Sequence, residues 1–198
     1  MAEGFLAAHL ARLRAGLEAA AALEAVAEAY ADRVLETIRG GGRILLFGNG
    51  GSAAMAEHVA AEYVVRFRRE RRALPAVALT AGSPLLTAAA NDLGYEEALS
   101  RIVRGMARPG DLLVLHSTSG ESENLVRAAV AAREMGVSTV GVLARGGGRL
   151  GGLVDLAVVV PAEDTALAQE MQLALEHAVV DRVEEEVARS EGEEEDAG

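Results

Sequence analysis

Apolar residues along this chain follow two alternating patterns. In the first pattern, Val, Leu and Ile occupy several consecutive positions in short runs. Consecutive apolar positions are typical of strands that are covered on both faces of a parallel sheet. The pattern predicts five strands, at residues 43–48, 76–80, 112–117, 138–144 and 156–160.

The segments between these runs are longer, rich in Ala, Leu, Glu and Arg, and apolar at helical spacing. They predict helices over 3–22, 24–39, 52–68, 83–90, 96–107, 123–135 and about 165–189, with a turn at 91–95. Strands alternating with helices predict an α/β fold: a five-stranded parallel sheet flanked by helices on both faces, with N-terminal helices and a long C-terminal helix. One domain is predicted over residues 1–190, followed by an acidic, disordered tail at 191–198.

A glycine-rich turn, Gly48-Asn49-Gly50-Gly51-Ser52, separates the first strand from an alanine-rich helix. A strand, a glycine turn and a helix in this order present backbone N–H groups to an anion at the helix N-terminus. The turn also fits the dinucleotide pattern G-x-G-x-x-A, but the second strand ends at Thr80 without the carboxylate that this pattern requires. A tight turn without any ligand remains an alternative.

Hydroxyl groups are concentrated where the third strand meets the following helix, in Ser117-Thr118-Ser119-Gly120-Glu121-Ser122. One hydroxyl is enough to cap a helix, whereas four hydroxyls beside a helix N-terminus supply donors for a phosphate group. The chain contains no lysine, which excludes the lysine-dependent P-loop and protein-kinase sites. A phosphate monoester such as a sugar phosphate therefore fits better than a nucleoside triphosphate.

His58 and Glu62 are four residues apart and share one face of the third predicted helix. They lie about 10 Å beyond the glycine turn, within reach of the other end of a ligand held there. Alone, the two residues are equally typical of a surface ion pair. The last predicted helix favours a site, because Gln169, Glu170 and His177 interrupt an otherwise apolar sequence and must be paired or functional.

The composition excludes several classes of function. The chain has 198 residues, no cysteine and a net charge of −11, which exclude disulfides and argue against non-specific nucleic-acid binding. The sequence has no apolar run of membrane-spanning length and no signal peptide, so a cytoplasmic location is expected. Arginines at 66, 68, 69, 71 and 72 are expected at a solvated surface or subunit contact rather than at a ligand. His116 is predicted to be structural and His9 to be exposed.

The motifs together resemble the phosphoheptose isomerases of the sugar isomerase (SIS) domain family. The resemblance rests on Gly48-Asn49-Gly50-Gly51-Ser52 with His58 and Glu62, Asn91-Asp92, Ser117-Thr118-Ser119-Gly120 with Ser122, and Gln169-Glu170 with His177. It covers nearly the whole chain and implies a single SIS domain. It also implies a homotetramer with active sites at subunit interfaces, and conversion of D-sedoheptulose 7-phosphate to D-glycero-D-manno-heptose 7-phosphate.

The same resemblance implies a role for each matching residue. Glu62 is the base and His177 its acid/base partner. One zinc ion per subunit is held by His58, Glu62, Gln169 and His177. Phosphate contacts fall to Ser117, Thr118, Ser119 and Ser122, and further substrate contacts to Asn49, Gly50, Gly51, Ser52, Asn91, Asp92 and Gln169. An aldose–ketose isomerase needs these three elements: a base at carbon, an acid at the oxygens and a phosphate anchor.

Two positions depart from the family, because Leu167 and Gln172 stand where its members often have Arg and His. They affect the expected substrate detail rather than the reaction. The main alternative is a non-catalytic SIS protein that binds a sugar phosphate or a replication-initiator partner. The presence of both Glu62 and His177 favours an enzyme over that alternative.

The spacing of Gln169 and His177 adds a prediction about assembly. Eight residues place them about 12 Å apart along a helix and about 80° apart around it. One copy of the helix would bring both to a single ion only with difficulty. We therefore expect an oligomer in which His58 and Glu62 meet last-helix residues drawn from more than one chain.

Overall fold

A computed structural model describes residues 4–80 and 82–196 of the chain. Its strands form one parallel sheet in the order β2-β1-β3-β4-β5. The strands are β1 (Ile44–Gly48), β2 (Ala76–Ala78), β3 (Leu112–Ser117), β4 (Ser138–Leu143) and β5 (Leu156–Val159). The predicted five-stranded parallel sheet is confirmed, with every strand except the third one or two residues shorter than predicted.

Eight α-helices connect and cover these strands in the described ranges. They are α1 (Phe5–Ala20), α2 (Glu24–Arg39), α3 (Gly51–Val64), α4 (Ser83–Leu93), α5 (Tyr95–Met106), α6 (Glu123–Glu134), α7 (Gly148–Gly151) and α8 (Thr165–Asp196). Asp164 begins α8 by accepting the N–H groups of Ala166 and Leu167 at 3.0 Å each. In the described part of the chain no helix is long and apolar enough to cross a bilayer.

Alternate residues of the strands supply two separate cores. Ile44 and Leu46 of β1 pack with α2, α3 and α8 on one face of the sheet. Leu45 and Phe47 pack with α5 and α6 on the other. Because a strand turns successive side chains to opposite faces, one apolar run fills both cores, as predicted.

Three local predictions are corrected by the structure. Helix α3 ends at Val64 rather than at 68, and the chain then turns back through residues 65–72. Asn91 and Asp92 lie inside α4 rather than in a turn, because the break comes at Gly94, whose φ of +85° suits glycine. Helix α8 continues to Asp196, beyond 189. The predicted boundary at residue 190 between the domain and its acidic tail stays a prediction. Residues 197 and 198 lie outside the described range.

The arginine cluster is mostly at a solvated surface, as expected, since the side chains of Arg66, Arg68, Arg69 and Arg72 are 39–66 % exposed, and Arg71 is the exception. Arg71 is buried, 8 % exposed, and forms a salt bridge of 3.3 Å with the buried Glu184 of α8. Arg68 and Arg69 both bind Asp181, and Arg72 binds Glu191. These arginines therefore attach the segment 65–72 to α8 within one chain.

The strand order locates the place where a ligand is expected. Strand β1 lies between β2 and β3, so the helices that follow β1 and β3 leave the sheet in opposite directions. Parallel sheets of this order bind ligands in the crevice between these two strands, beyond their carboxyl ends. Gly48 is paired in register with His116, which places the glycine and serine loops side by side there.

Candidate active site

The glycine loop is shaped by close backbone contacts. Gly50 has a φ of +57°, which an L side chain rarely adopts. A Cβ on Gly48 would lie 2.6 Å from atoms of Ser52, and one on Gly51 would lie 2.7 Å from the Gln169 amide nitrogen. The loop thus holds the N-terminus of α3 against both β1 and α8.

The serine loop folds on its own hydroxyl groups. Ser117 Oγ accepts the N–H of Gly120 at 3.0 Å, and Ser119 Oγ accepts the N–H of Glu121 at 3.2 Å. A hydroxyl that accepts a hydrogen bond still has its own proton to donate. Ser117 is buried, whereas Thr118, Ser119 and Ser122 are partly exposed at the N-terminus of α6. The three partly exposed hydroxyls are therefore the better placed donors for a phosphate.

A reciprocal amide pair joins the two loops. Asn49 Nδ2 donates to Asn124 Oδ1 at 3.0 Å, and Asn124 Nδ2 donates to Asn49 Oδ1 at 2.9 Å. The Tyr95 hydroxyl also donates to Asn49 Oδ1, at 2.7 Å. Sequence reasoning did not find Asn124 or Tyr95, although a polar residue among the apolar positions of α6 is the kind of signal that identifies Asn124.

Two histidines and a carboxylate meet where α3 contacts α8. His58 Nε2 lies 2.9 Å from His177 Nε2 and 3.6 Å from Glu62 Oε1. The side chain of His58 is 45 % exposed and that of Glu62 20 % exposed, so the group borders solvent while remaining anchored. The structure therefore brings together three of the four residues predicted to hold a metal, within one chain.

His177 is held between two rings. Its imidazole stacks on Phe67 with 5.0 Å between centroids and meets His58 edge-on at 5.2 Å. Burial lowers the pKa of His177, and His58 lowers it further, while Glu62 acts in the opposite direction. Because the ordinary histidine pKa is about 6.5, His177 is mainly neutral at pH 7 and its ring offers a lone pair.

Gln169 lies where the N-terminal ends of α3 and α8 meet. It packs on Gly51, and with His58 and Glu170 it lines a cavity of about 300 Å³ between α3 and α8. Glu170 Oε1 accepts a hydrogen bond from His9 Nε2 at 2.9 Å, so His9 is half-buried and paired rather than exposed as predicted. His116 is buried and hydrogen-bonded to Glu176, in agreement with a structural role.

The parallel packing of α3 and α8 corrects the argument from residue spacing. Gly51 faces Gln169 and His58 faces His177, so both helices advance together along the contact. Eight residues along α8 are matched by a similar distance along α3, and one chain suffices to bring His177 to His58 and Glu62. A second subunit is therefore not needed for this group.

Asn91 and Asp92 are exposed near the end of α4, where Asn91 Nδ2 donates to Asp92 Oδ1 at 2.8 Å. Tyr95, three residues further on, is the residue through which this region contacts Asn49 of the glycine loop. The assignment of Asn91 and Asp92 to substrate binding stays a prediction.

The donor set can be tested against the predicted zinc ion. Imidazole, carboxylate and amide groups are suitable ligands, and tetrahedral zinc with bonds of about 2.0–2.1 Å places neighbouring donors about 3.3 Å apart. The distance of 2.9 Å between the Nε2 atoms of His58 and His177 is shorter than that value. The distance of 3.6 Å from His58 Nε2 to Glu62 Oε1 is longer. Among the described residues, no three His, Asp or Glu side chains already form a closed metal cage. The residues therefore fit a zinc ion in chemical type, and binding would require their side chains to rearrange.

Comparison with known proteins agrees with this geometry. A family model described as SIS domain matches residues 7–144. The phosphoheptose isomerase of Roseiflexus sp. (strain RS-1) is 51 % identical over 156 residues, which cover 79 % of each chain. That of Bradyrhizobium sp. (strain ORS 278) is 42 % identical over 185 residues, 92 % of this chain and 93 % of that one.

Comparison with solved structures points to the same family. The structure of a phosphoheptose isomerase from Neisseria gonorrhoeae superimposes with a TM-score of 0.84 at 37 % identity, covering 90 % of this chain and 96 % of that one. The family model and the relatives span both ligand loops as well as the helix that carries His58 and Glu62. The chain belongs to the SIS domain family and, within it, to the phosphoheptose isomerases.

Proposed function

We propose that this protein is an intramolecular oxidoreductase that converts D-sedoheptulose 7-phosphate to D-glycero-D-manno-heptose 7-phosphate through an enediol. This reaction is the first step towards ADP- or GDP-activated heptose. The observation that carries the proposal is the meeting of His58, Glu62 and His177 beside two adjacent anion-binding loops. Relatives that are 42–51 % identical and named phosphoheptose isomerase support the same reaction.

Isomerisation moves one proton between adjacent carbons and a second between their oxygens. Glu62, partly exposed and 3.6 Å from His58, takes the proton from carbon and returns it to the neighbouring carbon. His177 is mainly neutral at pH 7, so it accepts a proton from one oxygen and donates it to the other. The stack on Phe67 holds the His177 ring in place during both transfers.

The phosphate is bound at the other end of the crevice. Thr118, Ser119 and Ser122 offer hydroxyl donors at the N-terminus of α6, where the helix dipole also favours negative charge. The Asn49–Asn124 pair keeps this loop at a constant separation from the glycine loop. Binding energy gained at the phosphate therefore orients the distant carbonyl for proton transfer.

A zinc ion would be held by His58, Glu62, Gln169 and His177. When bound, zinc polarises the substrate carbonyl and so makes the adjacent C–H more acidic. Metal analysis of the purified protein, followed by equilibrium zinc binding to His58→Ala and wild type, tests this assignment without reference to activity. Equal zinc affinity in both proteins would remove His58 from the ligand set.

We also propose a cytoplasmic homotetramer with its sites at subunit interfaces, and no nucleic-acid or membrane partner. The support for assembly is the exposed apolar surface of α1, where Phe5 is 90 %, Leu6 57 % and Leu10 52 % exposed. Surfaces of this kind are usually covered by another protein chain. Sedimentation equilibrium measures the number of subunits, and a monomer at micromolar concentration would contradict the proposal.

Incubation with D-sedoheptulose 7-phosphate and identification of the product by NMR test the function itself. The expected product is the aldose phosphate, and unphosphorylated sedoheptulose is expected to react poorly. Binding of the ketose phosphate without turnover would instead support a non-catalytic sensor. The presence of both Glu62 and His177, each close to His58, supports the enzyme over that second function.

A further inference from the structure

The first half of helix α8 carries two fully buried polar residues that the proposed chemistry does not use. Gln172 and Glu176 are both 0 % exposed. Four residues apart, they lie on the same face of the helix, directed at the sheet. We call these two residues the polar stripe of α8. Buried amide and carboxylate groups are costly unless they are paired, so their contacts indicate what the stripe does.

Gln172 attaches α8 to the ends of two strands. Its Nε2 donates to the carbonyl oxygen of Val142 in β4 at 2.9 Å and to that of Ser117 in β3 at 3.3 Å. Ser117 is also the first residue of the serine loop. The amide therefore links the helix that carries His177 to the start of the predicted phosphate site.

Glu176 attaches the same helix one turn further on. Its Oε1 accepts a hydrogen bond from His116 Nε2 at 2.7 Å, and the Tyr30 hydroxyl lies 3.2 Å from both carboxylate oxygens. His116 precedes Ser117 on β3, and Tyr30 belongs to α2. The carboxylate is thus held from two elements that lie on different sides of α8.

Directional contacts of this kind restrict a helix in ways that apolar packing does not. A face of Val and Ala residues tolerates small slides and rotations, whereas hydrogen bonds to several elements define one rotation and one height. Gln169 and His177 flank the stripe at three residues before Gln172 and one residue after Glu176. A rotation of α8 would therefore move both of them away from Gly51 and His58.

We propose that Gln172 and Glu176 are positioning residues, which set the rotation and height of α8 so that Gln169 and His177 face His58 and Glu62. The proposal rests on the proposed isomerase function for its kinetic consequences. It does not place either residue in contact with substrate. Displacing a reacting group by about 1 Å costs on the order of 10²-fold in rate, so the expected kinetic effect is large.

The test separates positioning from mere stability. Glu176→Leu alone leaves the Nε2 of His116 and the hydroxyl of Tyr30 buried without a partner and is expected to lower both Tm and kcat. The triple variant Tyr30→Phe/His116→Leu/Glu176→Leu removes all three polar side chains that are hydrogen-bonded around Glu176. Replacing a buried polar cluster by apolar residues is often neutral or stabilising. We expect its Tm to return close to that of wild type while kcat stays about 10- to 100-fold lower. KM is expected to change by less than about threefold, because the phosphate loop is retained.

Three companion variants sharpen the result. Glu176→Gln keeps an acceptor for His116 and is expected to retain most of kcat. Gln172→Met removes the first contact at nearly constant length and is expected to lower kcat with little change in KM. Thr139→Val removes a buried hydroxyl, 2 % exposed, that is hydrogen-bonded to Asp155 at 2.9 Å near the opposite end of the sheet. This control is expected to lower Tm and leave kcat unchanged.

A triple variant that recovers both Tm and kcat to near wild-type values overturns the proposal. If the triple variant does not fold, Gln172→Met decides, since an unchanged kcat would overturn the proposal and a lowered kcat supports it. Zinc affinity gives a readout independent of turnover, with a loss of about tenfold or more expected in the triple variant. If wild type does not isomerise sedoheptulose 7-phosphate, the proposed function fails, and zinc affinity alone then decides on positioning.

Discussion

The two halves of α8 use polar residues in different ways. In the site half, residues 165–177, Gln169 lines the cavity and His177 faces His58 of α3. In the anchor half, residues 178–196, Glu184 is 0 % exposed and surrounded by donors from one short segment. Its carboxylate accepts the N–H groups of residues 67, 68 and 69 at 2.8, 2.7 and 2.8 Å. Arg71 completes the set at 3.3 Å.

The difference shows how pairing separates stability from chemistry. A buried carboxylate with three N–H donors and a guanidinium has no capacity left for a ligand, and its contribution is to hold the segment 65–72 in place. That segment includes Phe67, which stacks on His177. In the site half, the partly exposed imidazole of His177 still has a nitrogen atom directed at His58 of α3. The anchor half therefore supports the site without taking part in it.

The pKa of Glu184 agrees with this division. Burial alone would raise it, but the backbone N–H groups of the segment and the charge of Arg71 outweigh burial and lower it. For His177 the balance differs, because burial lowers the pKa and His58 adds to the effect. Glu184 in the anchor half therefore stays ionised, and His177 in the site half stays mainly neutral at pH 7.

The largest effect is expected from Glu62→Gln, which removes the base facing the site half. Losing a general base costs on the order of 10²–10⁴-fold in kcat. Tm is expected to stay near that of wild type, because Glu62 is paired only with a partly exposed histidine. Steady-state kinetics and thermal unfolding measure both quantities. Glu57→Gln, an exposed carboxylate on the same helix, is the matched control. A loss below tenfold for Glu62→Gln would mean that another group is the base.

Glu184→Gln is expected to give the opposite pattern. Breaking a buried ion pair by changing one partner costs about 3–5 kcal/mol, because Arg71 is left buried without its counter-charge. Urea unfolding measures the free energy, with Glu185→Gln as the exposed neighbouring control. Protein that remains folded is expected to keep at least about a third of wild-type kcat. If stability is unchanged while kcat collapses, the anchor half belongs to the catalytic site and the comparison fails.

Ser119→Ala is expected to weaken binding of the phosphorylated substrate by about 1–3 kcal/mol, the contribution of a charge-assisted hydrogen bond. Calorimetry with sedoheptulose 7-phosphate and with unphosphorylated sedoheptulose measures the effect. Ser122→Ala should behave similarly, and Ser138→Ala, at an exposed position at the start of β4, is the control. Equal affinity of wild type for both sugars would remove the phosphate assignment.

The smallest effect is expected from mild acid. The folded pKa of Glu184 is lowered, so its contribution to stability is complete above its unfolded pKa of about 4.3 and is lost as pH falls through the lower folded value. Unfolding free energy should therefore be nearly constant between pH 7 and 5 for this group and fall below about pH 4. Glu184→Gln should show a shallower fall. Identical slopes in both proteins would show that Glu184 does not titrate as its surroundings indicate.

Local pattern was sufficient for the elements and for the motif residues. Consecutive apolar positions predicted all five strands, and glycine and hydroxyl residues at strand ends predicted the two adjacent strand-end loops, whose ligand binding stays a prediction. The sequence pattern gave the wrong end for α3, which was predicted at residue 68. That end is decided by Glu184, which lies 117 residues from Phe67 in the chain. The pattern also failed for His9, whose partner Glu170 lies 161 residues away.

The sequence by itself determined the α/β class and the candidate residues His58, Glu62 and His177, since these depend on periodicity and residue type. The strand order, and with it the crevice between β1 and β3, was decided by the tertiary structure. Only the tertiary structure decided that α3 and α8 run in parallel, which brings His58 within 2.9 Å of His177 in one chain. It also decided that Glu176 and Asn124 are buried and paired, and that the buried Gln172 is paired through its Nε2. The physical reason is that helical spacing defines the face on which a residue lies, whereas the partner of that face is set by packing between segments distant in the chain.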